Sequence, residues 1–180
     1  FHPHNQPPMS NLPDFRDPDV LLAHVRHTMA FYHPRCIDPS GGFFHFFKDD
    51  GTVYDAHQRH LVSSTRFVFT YAMAFRRFGD PAYLDGVKHG VRFLREAHFD
   101  PVHGGYTWLL DWRQGHATVL DGTRHAYGMA FVLLAYAHAV MAGVEEARPW
   151  LAETFELMER RFFSAADGLY ADEASADWHT

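Results

Sequence analysis

Arg66 is the side chain whose type and setting first point to chemistry. It lies within RHLVSSTRFVFTYAMAFRRF, residues 59–78, which a helical reading makes apolar nearly all round. Leu61, Val68, Ala72 and Phe75 share one face, while Phe67, Phe69, Tyr71, Ala74 and Phe78 fill the others. Such a helix is expected to be buried on every side. An arginine inside it keeps its charge and needs partners. A cavity holding an oxygen-rich ligand would supply them, and an internal salt bridge is the competing explanation.

Other chemistry-bearing types are scattered. The 15 histidines form no HExxH motif and no Cys/His cluster with zinc spacing, so no metal is assigned. The only HxH, at His2 and His4, lies in the Pro-rich start. Glycoside hydrolysis needs two carboxylates flanking the scissile bond. Asp55, Asp100, Asp111 and Asp121 stand on expected loops without forming a pair in sequence. No GxxxxGK loop is present to cradle a nucleotide phosphate.

The elements that must position Arg66 recur along the chain. A Pro-rich lead over residues 1–16 precedes Asp17-Pro18-Asp19, a helix start, and that helix stops before Pro34. Gly41-Gly42-Phe43 and the turn Asp49-Asp50-Gly51-Thr52 lead through short extended pieces to a helix over about 57–78. Gly79-Asp80-Pro81 ends it and starts an amphipathic helix to about His98, with Leu84, Val87, Val91 and Leu94 opposed to Asp85, Lys88, Arg92 and Arg95. A second glycine-aromatic loop, His103-Gly104-Gly105-Tyr106-Thr107-Trp108, precedes another all-apolar helix, about 123–141, and an amphipathic one, 145–162. Gly79 and Gly143 are 64 residues apart, as are Phe99 and Phe163, Gly104 and Gly168, and Tyr106 and Tyr170.

This is an internal repeat of a buried helix, an amphipathic helix and a glycine-aromatic loop. Alternating buried and amphipathic helices describe an inner ring wrapped by an outer one, an all-α (α/α) toroid with a central pocket. Six such pairs would need about 380 residues, so residues 17–180 are expected to be the first half of a barrel. A missing C-terminal half, or further copies in a homo-oligomer, would complete it. Alone it would leave a large apolar face in water.

Composition narrows the partners. The net charge of −6, spread without long runs, argues against nucleic acid. The aromatic share, 16% with 17 Phe, suits deep cores and sugar-binding surfaces alike. One cysteine, Cys36, precludes an internal disulfide framework and accords with the cytoplasm. The start lacks a basic region followed by an apolar one, so no signal peptide is expected, and no apolar run is long enough for a membrane span.

GTVYDAHQRHLVSSTRFVFTYAMAFRRFGDPAYL, HFDPVHGGYTWLLDWRQG and RHAYGMAFVLLAYAHAV, in this order, resemble blocks of the N-acylglucosamine 2-epimerase family. That family includes mannose isomerase, sulfoquinovose isomerase and cellobiose 2-epimerase. The resemblance implies an (α/α)6 barrel, a small sugar substrate, no cofactor, and proton transfer at C2 through a cis-enediolate. It makes Arg66 the sugar-contacting arginine and Tyr127 the tyrosine at the pocket edge. Met129 stands where relatives commonly carry Gln or His. His60 and His125 flank the blocks and are candidates for the pocket, with helix-end hydrogen bonding as the alternative. Phe43, Tyr106 and Trp108 enter inner helices and are placed to stack on a sugar ring or to pack on the core. The family's acid–base histidine pair would lie beyond Thr180. A fragment with the substrate-binding half would be inactive alone. The remaining class is a non-catalytic helical-repeat binding module, which predicts an inner face without ionisable groups.

Overall fold

Short polar stops and acceptors start and end the helices. Asp17 accepts a hydrogen bond from the Asp19 N–H and opens α1 (Pro18–Tyr32). Gly79, in the left-handed conformation at φ 72, closes α2 (Leu61–Phe78), and the Asp80 carboxylate accepts from the Ala82 N–H to open α3 (Pro81–Phe93). α4 (Ala126–Met141) and α5 (Arg148–Arg161) follow. The computed structural model describes residues 12–179, so residues 1–11 of the Pro-rich lead lie outside them. The chain divides at Pro34/Arg35 into two compact units. In the first, α1 buries only Met29 and exposes Leu21 and Val25.

In the second unit α2 packs against α3 and α4, and α4 packs against α5. The core lies between them, with Val68, Ala72, Val87, Val91, Val132, Ala135 and Tyr136 all excluded from water. α2 and α4 are thus neighbours, each backed by an amphipathic helix.

The loops carry structure that the all-α expectation lacked. Nine short strands occur among the described residues. β1 (Phe46–Phe47) pairs with β2 (Val53–Asp55). β3 (Gln58–His60) leads into α2 and pairs with β4 (Leu109–Arg113), which also pairs with β5 (His116–Asp121). β6 (Arg124–His125) leads into α4. β7 (Phe163–Ser164) pairs with β8 (Leu169–Tyr170), and β9 (Glu173–Ala174) pairs with β6. α2 and α4 therefore begin at Leu61 and Ala126, later than the sequence pattern suggests, because the preceding residues are extended. The expected helix to His98 changes to a π-helical turn over Leu94–His98, and the fifth helix begins with a 3₁₀ turn, Glu145–Ala147.

The repeat is exact in its backbone stitching. His60 faces Leu109 and Arg59 faces Leu110, just as His125 faces Glu173 and Arg124 faces Ala174. The Leu61 N–H donates to the Trp108 carbonyl and the Ala126 N–H to that of Asp172, both at 2.9 Å. The starts of α2 and α4 are thereby tied to the loops that follow α3 and α5.

A buried arginine ties each start to the loop before as well. Arg59 is fully buried, with Nη2 2.5 Å from Asp38 and Nη1 donating to the Ala56 and Gln58 carbonyls. Arg124 is almost fully buried, 2.5 Å from Asp100, and donates also to the Ala176 carbonyl. Asp38 and Asp100 each precede a glycine-aromatic loop. Within those loops the Asp38 N–H donates to the Gly42 carbonyl and the Asp100 N–H to the Gly105 carbonyl. Gly42 has φ 69, and a Cβ there would come within 2.7 Å of the Phe93 ring, so only glycine fits.

Truncating one partner of a buried ion pair leaves the other charge uncompensated. Asp38→Ala and Asp100→Ala are each expected to lower stability by about 3–5 kcal/mol in urea unfolding. A loss under about 1 kcal/mol would show that water reaches the stranded guanidinium.

Candidate functional site

The starts of α2 and α4 bring the sequence candidates to one open face. Arg66 lies on the second turn of α2 and is exposed, contrary to the expectation of burial. The reason is positional: Arg66, Thr70 and Met73 share a face of α2 that no described residue covers. The guanidinium is held from one side. Its Nη2 donates to the Tyr127 hydroxyl at 3.4 Å, and its carbon stands 5.1 Å from the Phe131 ring centre. Tyr127 and Phe131, four apart on α4, pack at 4.9 Å.

His60 and His125 are the last residues of β3 and β6, immediately before α2 and α4. Trp108 lies between their rings, 4.4 Å from His60 and 4.1 Å from His125. His60 Nδ1 accepts from the Val62 N–H, capping α2, which places the remaining N–H on Nε2 in the neutral ring. Burial, then the nearby His125 and Arg66 charges, push His60 below its ordinary pKa, while Asp121 opposes them. His125 Nδ1 stands 3.6 Å from the Glu173 carboxylate. The face thus combines a fixed cation, a phenol, two imidazoles and an indole. It can orient a polyhydroxylated ring and stabilise a developing oxyanion.

Other candidates lie elsewhere. Phe43 and Tyr106 are fully buried: Phe43 stacks on Phe67 and Tyr71, and the Tyr106 hydroxyl donates to that of Tyr136. Both take the core-packing alternative. Met129 is also buried. Asp55 accepts from the His57 and Gln58 N–H groups, Asp100 binds Arg124, Asp111 binds Arg113, and Asp121 accepts from the Thr123 N–H. Each carboxylate is engaged locally. No group of three or more His, Cys, Asp or Glu among the described residues is arranged to hold a metal ion.

A polar chain behind the face has no counterpart in the sequence reading. His98 is fully buried; its Nδ1 donates to the Thr107 carbonyl at 2.9 Å, leaving Nε2 to accept from the Ser64 hydroxyl at 3.0 Å. Ser64 Oγ is 3.4 Å from Nε2 of His45, and His45 Nδ1 accepts from the His60 N–H at 3.2 Å. Burial pushes His98 down to about 4 and holds His45 well below its usual value. The missed clamps, Arg59–Asp38 and Arg124–Asp100, did leave a trace. An Arg-His pair precedes each inner helix, and an Asp-Pro pair precedes each Gly-Gly.

The model of the N-acylglucosamine 2-epimerase (GlcNAc 2-epimerase) family matches residues 42–180. The chain belongs to this family. It is 50% identical over 168 residues to a D-mannose isomerase of Marinomonas mediterranea, covering 93% of this chain and 41% of that protein. A cellobiose 2-epimerase of Eubacterium cellulosolvens is 29% identical over 107 residues, covering 59% of this chain and 26% of that protein. A crystal structure of D-mannose isomerase superposes with a TM-score of 0.88 at 50% identity, over 94% of this chain and 42% of that one. The chain thus spans about two fifths of the length of this isomerase. Its relatives are carbohydrate isomerases and epimerases, and its fold is theirs in this half.

His98 also makes stability depend on pH. Its folded pKa, about 4, lies below the ordinary value of 6.5, so between these values the unfolded chain binds more protons. This contribution is complete above pH 6.5 and is lost as pH falls toward 4. Its upper bound is about 3 kcal/mol. His98→Phe is expected to flatten the stability profile over that window, measured by denaturant midpoints at successive pH values. An unchanged profile would assign the slope to other groups.

Proposed function

We propose that this chain is the sugar-orienting half of an aldose–ketose isomerase of the mannose-isomerase kind. The observation that carries the reading is Arg66, held by Tyr127 and Phe131 beside the His60–Trp108–His125 ring cluster. In this reading Trp108 and the histidines seat the sugar, and Arg66 faces the oxygen that becomes negative when C2 loses its proton. A permanent cation there stabilises the cis-enediolate. The proton is moved by acid–base histidines, whose pKa near neutrality serves both steps, and the family resemblance puts that pair beyond Thr180. Cytoplasmic action accords with the buried thiol of Cys36, whose pKa burial pushes up to about 11.

Repeat symmetry supports continuation into an (α/α)6 toroid by residues 17–180 and further helices. Val87 and Val91 of α3 are fully buried where α2 and α4 pack. Their equivalents 64 residues on, Leu151 and Phe155 of α5, line an open apolar hollow of about 410 Å³, and Phe155 is 54% exposed. An inner helix equivalent to α4 would fill it, from the same polypeptide or another copy.

The alternative, 2-epimerisation of an N-acylglucosamine or a cellobiose, uses the same face and differs in how many bases reach C2. The relationship to a cellobiose 2-epimerase supports it, while the higher identity to a D-mannose isomerase favours isomerisation. A purely structural binding module fits less well, because Arg66, His60 and His125 make the face ionisable.

The expected results are specific. This chain binds D-mannose in saturation-transfer NMR but does not exchange the C2 proton in D2O. A chain extended to its relatives' full length exchanges it and forms fructose. In the extended chain Arg66→Ala lowers kcat/KM by about 100-fold or more. Full activity in that variant, or C2 exchange by this chain alone, would refute the assignment.

A further inference from the structure

The His45–Ser64–His98 chain occupies a place that the second repeat fills without polar groups. Counting 63 or 64 residues on, His45, Ser64, His98 and Thr107 become Trp108, Gly128, Phe162 and Ala171. The equivalence is spatial as well as numerical. The Thr107 N–H donates to the His98 carbonyl, and the Ala171 N–H to that of Phe162. A Cβ on Gly128 would lie 3.0 Å from the Trp108 ring, so the indole takes the room that the Ser64 side chain and the His45 ring share in the first repeat. Phe162 is buried, like His98. The fold therefore has an apolar solution for this slot, and the first repeat does not use it.

The polar version has one consistent arrangement of protons. His98 Nδ1–H donates to the Thr107 carbonyl, the Ser64 hydroxyl donates to His98 Nε2, and His45 Nε2–H donates to Ser64 Oγ. His45 Nδ1 is then an acceptor, and it takes the main-chain N–H of His60. His60 in turn uses its own Nδ1 to accept from the Val62 N–H. Its Nε2–H makes no hydrogen bond to any described residue, and its ring meets that of Trp108 at 4.4 Å and 68°. Each group thus fixes the donor or acceptor role of the next as far as His45, which holds the main chain of His60, while the Val62 N–H sets the tautomer of the His60 ring. The His45 ring is further oriented by stacking on Phe67 at 6.1 Å and 21°.

We propose that His45, Ser64 and His98 form a positioning chain that anchors His60, so that its Nε2–H is presented as a neutral hydrogen-bond donor to a sugar oxygen. The sugar part rests on the function proposed above; the positioning part does not. The first repeat keeps polar groups because Trp108-like packing would leave the His60 N–H without an acceptor. His45, Ser64 and His98 act through His60 and do not touch the sugar.

The test uses this chain with ¹⁵N-labelled histidine. Ring-nitrogen shifts are expected to show protonated Nδ1 on His98 and protonated Nε2 on His45 and His60. His45→Phe and the triple variant H45W/S64G/H98F, which copies Trp108, Gly128 and Phe162, should both shift the His60 ring-nitrogen signals as the ring loses its anchor, and weaken D-mannose about fivefold. His45→Asn keeps an acceptor near the His60 N–H and should restore both readouts. The triple variant uses an arrangement already present in the fold, so it guards against loss of folding in His45→Phe. A His60 spectrum unchanged in both variants overturns the positioning role, whatever the sugar does. Failure of the unsubstituted chain to bind mannose, with His60 responding as expected, overturns the sugar reading and leaves the positioning chain standing.

Discussion

The structure depends on two buried guanidinium–carboxylate pairs. Arg59 and Arg124 each stand one residue before the histidine that opens an inner helix. Their partners Asp38 and Asp100 each begin a glycine-aromatic loop. A buried charge is tolerated only if it is paired and its remaining donors are used, and here the second amino group of each arginine reaches further oxygens. The geometry this enforces is narrow. It fixes where the loop crosses the helix start, and hence where His60, Trp108 and His125 lie. Nε of both arginines has no partner among the described residues, so the clamps are held at some energetic cost.

From those clamps the open face follows by short steps. β3 and β6 are extended because they pair with β4 and β9, which sets the two helix starts in the same register. His60 and His125 then flank Trp108, and α4 brings Tyr127 and Phe131 to Arg66 across the helix pair. The two repeats diverge where they meet this face. One places an indole against a glycine, and the other a histidine against a serine. A repeat scaffold tolerates such divergence because each unit needs only equal volume and satisfied polar groups at the slot.

Much of this was legible in the chain. The glycine-aromatic spacing of 64 residues announced the repeat, and the contrast between apolar and amphipathic helices separated α2 and α4, which pack on each other, from α3 and α5, which back them. The extended pieces flanking the turn over residues 49–52 were legible, and they are β1 and β2; the other strands were not, most of them having only two or three residues, too few to show a period. The burial of Arg66 was misjudged for a related reason. Apolar residues on all faces imply cover on all faces, yet the neighbour that would cover one face is not among the described residues. Arg59 and Arg124 were passed over because a charged residue beside a helix start ordinarily faces water.

What the sequence by itself determined is the repeat, which follows from residue type and spacing, and the family, which follows from the resemblance of its three ordered blocks. What only the tertiary structure decided is which charges are buried, which aromatic rings are core and which lie at the open face, and how the histidines share protons. Phe43, Tyr106 and Trp108 occupy related loop positions, yet only Trp108 lies between the two histidines. The physical reason is that burial and proton sharing are properties of contacts between distant segments. Asp38 meets Arg59, and His98 meets Ser64, only after the loops have closed.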